Sequence, residues 1–580
     1  MEFDVLFKNA TVVDGSGRFP YTADVAVSGE KVAVIGDIDK AEAKRVIDAK
    51  GKVLCPGFID IHSHADMTIP RENHAEILEP LIRQGITTFV GGNCGMGFAP
   101  LVDTPMRKAQ LEYFQGFTGA DQRENIHWDS LGEFLDYMDE LHPVMNFGLL
   151  APHGVIRLGT IGAAKRLANR EEVSQMTGML RECMEAGALG MSTGLQYFPG
   201  SQCDTEELIE LGRVLYEYDG VMTSHLRSYS DTLELAIDEL KEIIRKTGIR
   251  GQISHLFWLP DTGKVGNWLT RRAAKLGSKI YERVKLPIPL DAAVAKLLDG
   301  IDREIQDGLP LGIDGMPTSA GFTHLIAFFP PWVIEDEIMQ VLERLKDPAL
   351  RKRMRNDIEN GRSIWPHRED DTWSMNLLKI LGYEGAFIMS VVTEKNKHLE
   401  GKNLVEVGKI RGQHPFDAAC DLLLEEDGRV LVFETVTRPG DDFVERSLFA
   451  TMKSRNVSIV TDTILMGYGR ASHLFYDCYP KYIARYVRDY KSVSLAEGIR
   501  KCTSLPASQL QLKKRGEVRE GYFADLVMFD LTSIDTKSSF EKPDVYPQGI
   551  ETVLINGKVV FDENGYHPEP RSGRVIRREV

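Results

Sequence analysis

Nowhere in the 580 residues does an apolar run approach the length of about 18 that a membrane-spanning helix requires. Met1 is not followed by a basic segment and an apolar core, so no export signal is expected and the cytoplasm is the expected location. Cysteine is scarce: Cys55, Cys94, Cys183, Cys203, Cys420, Cys478 and Cys502 are scattered without paired spacing. That pattern argues against a disulfide framework and suits a reducing compartment. Positive charge is not in excess either. At a net charge of −15 the chain lacks the cationic surface that phosphate binding needs, so no nucleic-acid partner is expected. No Gly-x-Gly-x-x-Gly follows the first buried strand, which removes the main support for a doubly wound dinucleotide fold.

What is present is an ordinary globular composition, 43% hydrophobic and 27% charged, in a chain too long for one compact core. Residues 3–8, 11–13, 24–28, 31–35, 46–48 and 53–55 read as short strands punctuated by glycines. Segments 524–530 and 549–561, the latter around Asn556-Gly557, repeat that style. Neither end holds enough strands for a stable sheet, so residues 1–56 and 505–580 are expected to pair into one small β-sandwich. Between them, apolar runs at 87–91, 146–150, 190–192, 221–224, 252–254, 311–313, 430–434 and 457–461 alternate with amphipathic helices such as 206–217 and 231–247. The repetition predicts an α/β class, a (β/α)8 TIM-type barrel over 57–504 with its chemistry at the strand C-termini. Residues 327–399, with Phe329-Pro330-Pro331-Trp332 and a charged helical stretch at 335–359, break the pattern and read as an insertion or lid.

The chemistry begins at Pro56-Gly57-Phe58-Ile59-Asp60-Ile61-His62-Ser63-His64-Ala65-Asp66, where a β-branched run ends in two histidines one residue apart. Residues i and i+2 of a strand share a face, so His62 and His64 can reach one metal ion. Gly91-Gly92-Asn93-Cys94-Gly95 closes another apolar strand on a Gly-rich turn, where Cys94 reads as a thiolate ligand or as a small buried hydrophobe. His225 and His255 each follow a serine at a strand end, 30 residues or about one β–α unit apart. Either alone reads as structural; both in one context after His-x-His read as ligands. Asp462 stands where the last barrel strand should finish, with a helix N-cap as the alternative role.

The set His62-x-His64, Gly92-Asn93-Cys94-Gly95, Ser192-Thr193-Gly194-Leu195-x-Tyr197, Ser224-His225, Ser254-His255 and Asp462 resembles the D-aminoacylase (N-acyl-D-amino-acid deacylase) family of amidohydrolases. Thr503–Ala507, Gly516–Asp530 and Gly549–Gly557 resemble its closing segments, so the likeness spans nearly the whole chain. It implies a barrel plus β-sandwich, with zinc held tightly by Cys94, His225 and His255, and a second, weaker position completed by His62, His64 and Asp462. Asp462 is then the general acid–base, and Tyr197 either lends a hydroxyl to the oxyanion or substrate or packs in the core.

The departures carry as much. The family holds its substrate's α-carboxylate with Lys, Tyr, Ser and Arg, and the matching positions here are Phe257, Met316, Phe322 and Phe475. Four polar contacts become apolar while every proposed ligand stays. The expected substrate is therefore an apolar or cyclic amide without a free α-carboxylate. An N-acyl-D-amino-acid deacylase that recruits Arg470 or Lys481 instead, and an inactive scaffold, are the competing readings. Oligomeric state is not legible in the sequence.

Overall fold

The computed structural model describes residues 2–38, 42–118, 126–285, 288–367, 372–569 and 571–579. Both chain ends enter one nine-stranded sheet. The N-terminal strands Glu2–Val12, Tyr21–Ser28, Lys31–Gly36, Glu42–Asp48 and Val53–Pro56 meet the C-terminal strands Leu526–Phe529, Ile550–Ile555, Lys558–Asp562 and Gly565–Tyr566. The seam is antiparallel, Val53–Pro56 against Leu526–Phe529 with Val527 opposite Cys55. Asn556 and Gly557, both at positive φ, turn the C-terminal hairpin. Val5, Phe7, Val25, Val27, Leu54 and Leu526 give this sheet an apolar core of its own.

The intervening chain builds a ring of parallel strands: β1 (Phe58–Asp60), β2 (Ile86–Gly91), β3 (Asn146–Leu149, continued by Ala151–Pro152), β4 (Gly190–Gly194), β5 (Val221–His225), β6 (Arg250–Ile253), β7 (Leu311–Gly315) and β8 (Val457–Ile459). Each pairs in parallel with the next. Beyond β1 and β8 the ring closes where His64 N donates to the Thr463 carbonyl (2.8 Å) and Asp462 N to the His62 carbonyl (2.9 Å). The strands are almost wholly buried and read as continuous apolar runs, as parallel strands covered by helices do. The connecting helices are amphipathic and punctuated. In Leu233–Thr247 the buried Leu233, Ala236, Ile237, Leu240 and Ile244 form one stripe, and Gly248 at φ +80° ends the helix.

Two expectations change. The apolar run at 430–434 is not a ring strand: Leu431–Glu434 lies between Gly321–His324 and Ala386–Ser390, antiparallel to both. A short buried run specifies a strand but not the direction of its partner. The helical stretch at 335–359 is two helices, Ile338–Lys346 and Pro348–Asn360. Pro348 cannot donate to the preceding turn, and Asp347 caps the new helix by accepting from Ala349 N at 2.7 Å. Within the expected lid, residues 368–371 lie outside the described residues. Among the described residues no helix is long and apolar enough to cross a membrane.

Candidate metal centre

The ends of β1, β2, β5, β6 and β8 converge on one point. His62 Nε2 lies 3.2 Å from Cys94 Sγ, and Cys94 Sγ lies 3.7 Å from His225 Nδ1 and 3.6 Å from His255 Nε2. His225 Nδ1 and His255 Nε2 are 3.1 Å apart, and Asp462 Oδ1 is 3.4 Å from His62 Nε2 and 3.3 Å from His64 Nε2. The ligand atoms form three overlapping triads: His62/His64/Cys94, Cys94/His225/His255 and His62/His255/Asp462. The six residues marked as candidate ligands in the sequence stand at or just beyond strand ends, and the fold brings their polar atoms together.

The backbone is unusual at this point. Cys94, His255 and Asp462 have φ of +54°, +34° and +54°, a region that side-chain-bearing residues avoid at a cost of about 1–3 kcal/mol each. Gly92 (φ +72°) admits the Cys94 turn, since a Cβ there would stand 2.2 Å from the Leu150 carbonyl oxygen. Three strained positions at three donors show a geometry imposed by the tertiary structure, because none follows from local preference.

The electrostatics ask for a cation. Burial alone would raise the Cys94 thiol, but His62, His225 and His255 outweigh it and hold Cys94 well below its usual range. Burial likewise opposes an ionised Asp462, and His62, His64 and His255 overcome it to hold the carboxyl low. Burial would keep His64 neutral, yet Asp462 and Cys94 push it up to about 10. Two anions thus share the centre with no Lys or Arg among the described residues lining it. Nδ1 of His62, His64 and His255 is buried without a hydrogen-bond partner. A soft thiolate, four imidazoles and a carboxylate within a few ångströms fit a divalent metal such as zinc.

Residues not singled out in the sequence orient these donors. Gln196 Oε1 accepts from His225 Nε2 at 3.1 Å, so the other nitrogen, Nδ1, faces the centre with its lone pair. Asp314, at the end of β7, accepts from His255 N (2.6 Å) and Gln252 Nε2 (2.9 Å), and lies 3.6 Å from His62 Nδ1. Asp60 accepts from Thr461 N at 3.1 Å across the ring closure, and burial pushes its carboxyl up to about 7. Asp314 shared the available signal, a polar residue closing an apolar strand; Gln196 had none.

The remaining expected residues divide. Tyr197 borders the cavity, but its single hydroxyl proton goes to the Cys94 carbonyl at 2.7 Å. Phe257, Met316 and Phe322 line the cavity together with His64, Cys94, His225, His255 and Asp462. Phe475 does not reach it: fully buried, it packs edge-on behind Phe322 with ring centroids 5.2 Å apart. Neither alternative cation is there either. Arg470 donates to the Phe540 carbonyl (2.6 Å), and Lys481 to Glu445 (2.8 Å), both committed elsewhere. Ala327, Phe329, Ile334, Trp373 and Met375 of the expected lid supply one cavity wall.

The amidohydrolase family profile matches residues 45–234 and 447–561, more than half of the chain, and the chain belongs to that family. It is similar to D-aminoacylase of Alcaligenes xylosoxydans xylosoxydans, 27% identical over 578 residues that cover 99% of this chain and 98% of the relative. A crystal structure of D-aminoacylase superposes with a TM-score of 0.71 at 25% identity, covering 99% of this chain and 100% of the other. N-acyl-D-glutamate deacylase from Bordetella bronchiseptica, solved with zinc and a phosphonate mimic of the tetrahedral intermediate, superposes at 0.73 with 23% identity over the whole of both chains.

Proposed function

We propose that the protein hydrolyses the C–N bond of an apolar or cyclic amide that lacks a free α-carboxylate. The observation that carries this reading is the cavity wall beside the donors, formed by Phe257, Met316 and Phe322 with no Lys or Arg among its described lining residues. A substrate carboxylate buried there, unpaired, would cost roughly several kcal/mol. The ring of strands supports reading residues 57–504 as a (β/α)8 barrel with 327–399 as its lid, and the nine-stranded sheet supports a small second domain from 1–56 and 505–580.

Cys94, His225 and His255 would hold the tighter zinc ion, and His62, His64 and Asp462 a second, weaker one. When bound, zinc supplies Lewis-acid chemistry, acidifying a water and polarising the amide carbonyl. The chain's own residues do the rest. Asp462 takes the proton from the attacking water and returns it to the leaving nitrogen. Gln196 keeps His225 in the tautomer that presents Nδ1, and Tyr197 positions the Cys94 turn through its carbonyl. Phe257, Met316 and Phe322 exclude bulk water and select against a substrate carboxylate. The substrate is a small molecule met in the cytoplasm.

Steady-state kinetics of the zinc-loaded enzyme on matched pairs, an N-acyl-D-amino acid and its neutral ester or amide, test this. The neutral member is expected to lead in kcat/KM by at least about a hundredfold, since each ~1.4 kcal/mol is tenfold. A faster acid would make the protein an N-acyl-D-amino-acid deacylase with other carboxylate contacts. Turnover of neither, nor of any other neutral amide, would make it an inactive scaffold.

A further inference from the structure

The metal cavity opens on a second, larger chamber of about 440 Å³, and the two share His255, Phe257, Met316, Gly321 and Glu434. Most of the chamber is apolar or aromatic. Glu434, Trp258, Ser319 and Thr435 are among its lining residues, and each has a side-chain polar atom without a hydrogen-bond partner: Oε2, Nε1, Oγ and Oγ1. Native interiors pair such groups almost without exception. Glu434 is the one carboxylate among the described residues of its wall.

Glu434 is built into this position. It ends the central strand of the antiparallel sheet, opposite Gly321 on one side and Ala386 on the other. A Cβ on Gly321 would come 2.5 Å from Glu434 Oε1, so the missing side chain leaves the carboxylate its space at the junction of the two cavities. No Lys or Arg stands among the described residues lining either cavity. An ionised carboxylate only accepts hydrogen bonds, and a buried one without a countercharge is strongly unfavourable. A cationic group on a ligand in the chamber would supply that countercharge directly.

We infer that the chamber is a subsite for a basic nitrogen: Glu434 pairs with a ligand ammonium, and the chamber walls enclose the apolar body that carries it. Phe257 and Trp258 line the same chamber. The amide cleaved at the metal centre is thus one with an amine on its apolar portion. This assignment rests on the amide-hydrolase reading only for the fate of the ligand, because binding needs no turnover.

Calorimetric titration of the zinc-loaded, full-length enzyme with phenylpropylamine, phenylpropanol and phenylpropanoate tests it. The amine is expected to bind at least about tenfold tighter than the alcohol, and the carboxylate most weakly. Glu434→Gln should reduce the amine to the affinity of the alcohol. Val294→Trp, which fills the chamber from the wall away from the metal donors, should abolish binding of both. An amine no better than the alcohol overturns the proposal. So does an amine preference that survives in E434Q, which would place the nitrogen on the metal, or amine binding unchanged in V294W. Amine binding without turnover of any amide removes the functional reading and leaves the subsite; turnover without amine preference does the reverse.

Discussion

Two buried clusters in this protein use nearly the same side chains to opposite ends. His153, Cys203 and Glu207 lie within ligand distance of one another, as do the donors around Cys94. In the first, Glu207 accepts from His153 Nε2 at 2.8 Å and is paired with Arg157. Burial opposes the charge on Glu207, but His153 and Arg157 keep its carboxyl low, while burial pushes the Cys203 thiol up to about 12. Its one anion already has a guanidinium, and its thiol stays protonated. At Cys94 the thiol is held low, Asp462 adds a second anion, and histidines alone face them. Donor identity does not distinguish a metal centre from a structural knot; what differs is the partner, a permanently charged guanidinium at Glu207 and only imidazoles, which can exchange a proton for a metal, around Cys94.

The contrast is broken most sharply by removing the two thiols in turn. Cys94→Ala should lose bound zinc and with it all measurable turnover, whereas Cys203→Ala should keep both, as metal analysis and kinetics on the purified variants will show. Full metallation and activity in C94A would return Cys94 to the status of Cys203. Next in size, Asp462→Asn should retain the tighter zinc and lower kcat by about 10²–10⁴, the usual span of general acid–base catalysis. Wild-type turnover in D462N would leave Asp462 as a cap. Arg157→Leu strikes the structural cluster. Leaving Glu207 buried without its cation should cost about 3–5 kcal/mol in denaturant unfolding while the folded fraction still binds zinc. Loss of zinc at unchanged stability would reverse the assignment of the two clusters. The smallest effect expected is from Gln196→Leu, which releases the His225 tautomer and should weaken zinc binding about 10–100-fold in a competitive chelator titration.

Much of the centre was legible because its donors occupy a recurring local context. His62 and His64 owe their common direction to the two-residue period of a strand, and Cys94, His225, His255 and Asp462 each close an apolar run. The helices and the ring strands were legible for the same reason: apolar spacing along the chain reports which face is buried. What was not legible depends on contacts between remote segments. Phe475 was placed on the cavity by its position in a motif, yet Phe322 stands in front of it. Arg470 and Lys481 had no readable partners until Phe540 and Glu445 were in place. Gln196 is the unspecified position of the 192–197 motif, and Glu434 closes the apolar run 430–434 but belongs to no motif.

The sequence by itself determined the donor types, their attachment to strand ends and the apolar character of three cavity-facing positions, Phe257, Met316 and Phe322. These are properties of a residue and its near neighbours, and backbone periodicity carries them. Only the tertiary structure decided that Leu431–Glu434 pairs antiparallel outside the ring, that Asp462 meets His62 across 400 residues of chain, and that Glu434 is left without a partner between two cavities. Direction of pairing, closure of the ring and the supply of countercharge are set by which surfaces finally meet. No local pattern encodes them, because each depends on side chains brought together from distant parts of the chain.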